Sequence, residues 1–302
     1  METPELKEDP FDEFAFLAAD AARLGVTNPL PVRRATTMAV AGHEVSALQW
    51  GVDDPQIALL HGAGLNAHTW DSTALVLGQA AVALDLPGHG ESEWRDDADY
   101  TPPTIAPTLA SVIPIFGPNI RVLVGQSLGG LAAISIASQL RSQLSHLVIV
   151  DVTPGFQSKP TFVSPVSTFL AGPESYASHA EVIDRAIKFG IGRSAVDLER
   201  GVMLNTRVRS DGRVVFKHHL ASLPEGSHRK FDGEALWPIL ADLDIPILLV
   251  HGSRGILESA ALDDFSRRLP HANMIEVDAG HNIQRDAPKD LAAIIHDFSE
   301  MH

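Results

Sequence analysis

The chain has 302 residues, 45% of them apolar and 20% charged, which is enough to bury a sizeable core in one large domain or two small ones. Net charge is −15 and the 23 basic residues form no long cluster, so a nucleic-acid surface is not expected. Cysteine is absent, which excludes disulfides, thiol nucleophiles and thiolate metal sites together.

The first ten residues are acidic and lack the basic-then-apolar order of a signal peptide, and no apolar run approaches membrane-spanning length. A cytoplasmic protein is therefore expected. Phe11 to Leu24 has helical periodicity, with Phe14, Leu17, Ala18, Ala21 and Leu24 on one face, and Gly25 and Asn28-Pro29-Leu30-Pro31 end it. Its aromatic surface exceeds what a capping extension needs, so it is expected either to join a subunit contact, as in a homo-oligomer, or to close over the cap expected at 153–241.

Strand-like stretches follow at Thr36–Val40, Val45–Trp50 and Gln56–His61, the first two joined by the hairpin-like Ala41-Gly42-His43. Strands and helices then alternate. Ala67–Leu77 reads as helix, Ala81–Leu86 as strand and Thr104–Phe116 as helix, although Pro102, Pro103, Pro107 and Pro114 leave the ends of that helix open to breakage. Arg121–Val124 and Leu147–Val152 read as strands on either side of an apolar helix. Ile245–Val250, Ala260–Leu269, Met274–Val277 and Lys289–Phe298 continue the alternation as strand, helix, strand and helix. Short apolar strands alternating with helices predict a mostly parallel sheet of about eight strands, covered on both faces, with an antiparallel leading edge.

The alternation fails from Thr153 to Ala241. Helical stretches at Tyr176–Phe189 and Ser194–Thr206, a Ser210-Asp211-Gly212-Arg213 turn and little core-strand pattern suggest an insertion over the ligand-binding edge of the sheet. The expected organisation is an N-terminal extension at 1–32, a core at 33–152 and 242–302, and a cap at 153–241 inserted after the sixth strand.

Gly125-Gln126-Ser127-Leu128-Gly129 sits between a strand and a helix, where a serine between glycines is held out at the sheet edge. The loop His61-Gly62-Ala63-Gly64 faces it from the preceding strand. Its glycines let a backbone N–H approach, so Ala63 N–H and Leu128 N–H are candidate donors to a developing oxyanion, with Gly62 and Gly64 as candidate substrate contacts. His281, in Asp278-Ala279-Gly280-His281-Asn282 after the last core strand, can reach such a serine as general base. His61, His68, His251 and His271 are weaker rivals.

Together with Asp85-Leu86-Pro87-Gly88-His89-Gly90-Glu91-Ser92, these segments stand in the order of an α/β-hydrolase. From about residue 33 onward the chain resembles that family, in its form with a helical cap. The resemblance implies a serine nucleophile at Ser127 and a base at His281, with Asp85 and His89 shaping a loop rather than doing chemistry.

It also implies a triad acid. In many relatives the acid stands in a Gly-x-x-Asp pattern after the penultimate core strand, where this chain has Gly252-Ser253-Arg254-Gly255. The expected acid is missing. Asp151, at the end of Leu147–Asp151 and 24 residues after Ser127, is favoured as its replacement over Glu258 and Asp263. Certain esterases and the resorcylic macrolactone hydrolases acting on zearalenone carry the acid there.

The expected reaction is hydrolysis of a hydrophobic ester or lactone, with a zearalenone-like macrolactone as the specific expectation, and without metal or cofactor. Apolar cap residues Phe156, Phe162, Phe169, Leu170, Phe189, Ile191, Met203, Leu204 and Trp237 are candidate pocket walls, or simply packing. The alternatives are a carbon–carbon bond hydrolase of the meta-cleavage type, a cofactor-free perhydrolase or haloperoxidase-like enzyme, and a non-enzymatic receptor.

Overall fold

A computed structural model describes residues 11–155, 169, 172–191, 195–223, 229 and 231–301. A short helix α1 (Leu17–Leu24) leads into the antiparallel pair β1 (Val32–Met38) and β2 (Glu44–Trp50). There follow β3 (Ile57–Leu60), α2 (Asp71–Leu77), β4 (Ala81–Leu84), α3 (Pro102–Phe116), β5 (Val122–Gln126), α4 (Leu128–Gln139) and β6 (His146–Val150). Between β6 and β9 the segment expected to form a cap, and called the cap below, contributes α5 (His179–Lys188), α6 (Ala195–Asn205) and a small hairpin of β7 (Thr206–Val208) and β8 (Val214–Phe216). The chain returns through α7 (Leu236–Ala241), β9 (Ile247–Gly252), α8 (Ser259–Arg268), β10 (Asn273–Val277), α9 (Ile283–Asp286) and α10 (Pro288–Ser299).

The eight core strands run in the order β1-β2-β4-β3-β5-β6-β9-β10, parallel from β4 through β10. Successive strand residues feed opposite faces, as the pleat requires. Ala58, Leu60, Leu123, Leu147 and Ile149 pack on the side of α3, α4 and α7, while Ile57, Leu59, Val124, Val148 and Val150 pack on the side of α1, α2 and α10. Each of the fully buried Val, Leu and Ile side chains contributes roughly 1.5–3 kcal/mol by leaving water. The cap has its own cluster, including Tyr176, Val182, Leu198, Val202 and Phe216.

Three details differ from the sequence reading. The N-terminal helix starts at Leu17, with turns at residues 13–16 before it, and its Ala21 and Leu24 are buried on the core. The proline-rich α3 is continuous: Pro102 opens it at the first position, where no N–H is needed, and Pro107 and Pro114 lie inside. The cap contains a β-hairpin around the Ser210–Arg213 turn, with strands too short for an alternation to show in sequence. Among the described residues no helix is long and apolar enough to cross a membrane.

Candidate active site

The parallel register puts the C-terminal ends of β3, β5, β6 and β9 along one edge, where Ser127 follows β5 and Asp151 follows β6. Ser127 follows β5 with φ +53° and ψ −118°, a conformation costly for a side-chain-bearing residue. The turn closes because its flanks are glycine. A Cβ on residue 125 would lie 2.3 Å from the Gly129 carbonyl oxygen, and one on residue 129 would lie 2.5 Å from the carbonyl oxygens of Leu60 and His61.

Leu128 is the first residue of α4, so its N–H points out of the helix with no preceding turn to take it. Across the crevice, Ala63 is exposed and its N–H makes no hydrogen bond among the described residues. Gly64 takes φ +73°, and the Leu65 N–H donates to the Gly62 carbonyl at 3.2 Å, so this loop is a tight turn that leaves the Ala63 amide outward. Neither candidate oxyanion donor, Ala63 N–H or Leu128 N–H, is taken up by a hydrogen bond among the described residues.

Asp151 follows β6, also at positive φ (+50°), and is fully buried. Its Oδ1 accepts from Gly252 N–H and its Oδ2 from Ile256 N–H, each at 3.0 Å. Oδ2 also lies 2.7 Å from His281 Nδ1. The structure therefore brings Asp151 and His281 together across 130 residues of chain. Glu258 instead precedes α8 as its N-cap, and Asp263 is exposed on that helix. The other face of the His281 ring meets Gln126, whose Nε2 is 3.1 Å from His281 Nε2. No hydrogen bond joins Ser127 Oγ to His281 among the described residues; contacts of this kind commonly tighten only in a substrate complex.

The rival histidines are otherwise engaged. His61 is buried, donating from Nδ1 to the Gly62 carbonyl at 2.8 Å and accepting the Leu86 N–H at Nε2. Burial holds its pKa down at about 4, so it supports the loop as a neutral ring. His89 is buried beside it and held down to about 3 by the same cause. His68 lies between Asp71 and Glu13, His251 ends near Glu276, and His271 is exposed. Asp85 accepts the N–H groups of Ala67 and Glu91 and pairs with Arg34, tying the loop after β4 to the loop after β3.

Two sets of contacts carry no local sequence signal. The buried Asn66 donates to the Leu204 carbonyl at 2.8 Å and to Asn205 Oδ1 at 3.0 Å, joining the Ala63 loop to the end of α6. Arg200, in the middle of α6, reaches Asp71 at 2.5 Å and Asp20 of α1 at 2.9 Å. The N-terminal helix thus packs on the core and also holds the cap.

A cavity of about 140 Å³ adjoins Leu128, bordered by Tyr100, Pro102, Leu220 and Phe231, with Arg229 at its rim paired to Asp99 at 3.6 Å. Most of the apolar cap residues singled out from sequence lie elsewhere. Phe169, Phe189 and Ile191 pack within the cap, and Trp237 belongs to the main core. Phe156, Phe162 and Leu170 lie outside the described residues.

The model of the alpha/beta hydrolase family matches residues 57–294, which includes the elbow, the Ala63 loop, Asp151 and His281. The chain belongs to the alpha/beta hydrolase family. Within it, the chain is 36% identical over 293 residues to an esterase of Mycobacterium tuberculosis, Rv0045c, covering 94% of each protein. The solved structure of that esterase superposes with a TM-score of 0.85 over 97% of this chain and 100% of the other, at 34% identity. A pimeloyl-[acyl-carrier protein] methyl ester esterase of Aromatoleum aromaticum is 28% identical over 80% of this chain and 97% of its own length.

Proposed function

We propose that this alpha/beta hydrolase is a serine esterase that cleaves a carboxylic ester of a compact hydrophobic substrate through an acyl-enzyme on Ser127. Hydrolysis of ester bonds is the activity that its esterase relatives carry. The observation that carries the residue assignment is the 2.7 Å contact between buried Asp151 and His281, on the same sheet edge as the Ser127 elbow.

In this reading His281 Nε2 takes the Ser127 proton as Oγ bonds to the substrate carbonyl carbon. Asp151 accepts the Nδ1–H and stabilises the imidazolium. The carbonyl oxygen becomes an oxyanion held by the N–H groups of Ala63 and Leu128, and its collapse expels the alcohol, which receives the proton from His281. Water, deprotonated by the same ring, then attacks the acyl carbon and releases Ser127 and the acid.

The cavity beside Leu128 supports a small apolar group rather than a bulky one: about 140 Å³ is well below the roughly 300–1,000 Å³ of pockets that enclose drug-sized ligands. A short or medium acyl or alkyl chain matches that volume, and a macrolactone of the zearalenone kind is the larger alternative. Turnover of p-nitrophenyl esters of increasing acyl length, of a lactone panel and of vinylogous diketones, each compared with Ser127→Ala, tests this reading. It expects short esters to be cleaved best and the variant to be inactive. Preferred cleavage of a macrolactone or of a carbon–carbon bond would overturn the substrate class, and binding without turnover would overturn the enzymatic reading.

A further inference from the structure

Gln126 stands between the elbow and His281, and the triad reading leaves it without a role. It ends β5, is 1% exposed, and its amide nitrogen lies 3.1 Å from His281 Nε2 and 3.3 Å from the His281 main-chain oxygen. Because Nδ1 of His281 faces the Asp151 carboxylate, Nδ1 carries the ring proton and Nε2 presents its lone pair. That lone pair accepts from Gln126. The carbonyl acceptor fixes the amide with nitrogen toward His281, which leaves Oε1 turned to Gly62 as a buried acceptor without a partner. Residue 62 must be small for this placement: a Cβ there would stand 2.3 Å from Oε1.

We infer that Gln126 is a positioning residue that tethers the His281 loop and keeps the accepting nitrogen of His281 unprotonated in the free enzyme, yielding it to Ser127 when substrate enters. The inference rests on the acyl-transfer reading above. A hydrogen bond donated to the lone pair favours the neutral ring, and a general base works only in that form. The same amide nitrogen holds the loop through the carbonyl of residue 281, so one side chain fixes both where the ring sits and which proton state it rests in. A buried acceptor left unpaired costs stability, and Oε1 accepts that cost where an apolar side chain of the same shape would not.

The charged groups around His281 are few. Asp151 lies against the ring, Asp286 holds the Gly280 N–H, and the Arg254–Asp278 pair sits on the two loops that meet beside it, with Glu258 at the start of α8. None of them changes in the test.

The test is the pH profile of kcat/KM for p-nitrophenyl acetate with the wild-type chain, Gln126→Met and Gln126→Glu, together with fluorophosphonate labelling of the wild type. Labelling at Ser127 is expected. The acid-side midpoint should rise by about half to one pH unit in Gln126→Met, where the donated hydrogen bond is lost. It should rise further in Gln126→Glu, where a carboxylate beside the ring favours the imidazolium. If the Met variant does not fold, the near-isosteric Glu variant decides by the same midpoint. Midpoints within about 0.2 unit of wild type in the folded variants would reduce Gln126 to packing and overturn the inference alone. Absence of label on Ser127 would overturn the acyl-transfer reading and the inference with it.

Discussion

The Asp151 carboxylate occupies the space that Gly255 leaves open: a Cβ on residue 255 would lie 2.2 Å from Oδ1 and 2.5 Å from Oδ2. The slot that carries the acid in many relatives is thus filled from the neighbouring strand by a side chain that also accepts the Gly252 and Ile256 N–H groups. A side chain at 255 therefore requires the Asp151 carboxylate to move.

Gly255→Ala should therefore push Asp151 off His281 and lower kcat on the order of 10²-fold, the usual penalty for a misplacement of about 1 Å. Asp151→Asn should cost on the order of 10³–10⁴-fold. The double variant Asp151→Gly with Gly255→Asp moves the acid to the other loop and should exceed Asp151→Gly alone by roughly tenfold or more. Steady-state kinetics on one ester reads all three. Full activity in Asp151→Asn would remove Asp151 from the mechanism.

Arg200 joins cap, core and N-terminal helix through Asp71 and Asp20. Asp71 is buried and Arg200 about a quarter exposed, so Arg200→Met should cost about 1–3 kcal/mol, less than a fully buried pair. Urea unfolding measures it. A chain starting at Gly25 loses buried Asp20, Ala21 and Leu24 and the same tie to the cap, so its melting temperature should fall as well. Wild-type stability in both would show that these contacts hold nothing.

Stability should fall in acid through identifiable groups. Burial holds His61 at about 4 and His89 at about 3, below the ordinary 6.5, so under pH 6.5 the unfolded chain binds protons that the fold refuses. Burial of Glu13 opposes its ionisation, yet hydrogen bonds from His68 and Arg34 bring it down to about 2 from 4.5. Its contribution is present above 4.5 and lost as pH falls toward 2. His68 shifts the other way, because Asp71 and Glu13 outweigh its burial. Its contribution is complete below 6.5 and lost as pH rises through its folded value, so it does not offset the acid loss. Melting temperatures of Ser127→Ala should decline from pH 6.5 to 4 and more steeply below 4.5. A flat profile from 6.5 to 4 would contradict the neutral burial of His61 and His89.

How much of this was legible in the sequence follows from the range of each interaction. The elbow, the Ala63 loop and the loop bearing His281 are local motifs, in which a few consecutive residues dictate a turn, and the structure places them on one edge. Asp151 was reachable because Gly255 stood where a carboxylate was expected. Gln126 was missed because its partner lies 155 residues away, and the one available signal was a polar residue at the end of a strand otherwise wholly apolar. Asn66, Arg200 and Asp20 left no pattern, since ion pairs and amide contacts between distant segments have no period. Of the cap residues chosen for apolarity, Phe169, Phe189, Ile191 and Trp237 went into packing, while Tyr100 and Phe231 came to the cavity from loops and Leu220 from a short 3-10 helix, none with a distinguishing composition.

The central claim is that Ser127 is the nucleophile that Asp151 and His281 activate. The most direct measurement is peptide mapping after reaction with a p-nitrophenyl phosphonate. One adduct on Ser127 is predicted, absent from Ser127→Ala and formed far more slowly in Asp151→Asn. An adduct on another residue, or ester turnover by Ser127→Ala near the wild-type rate, would contradict it.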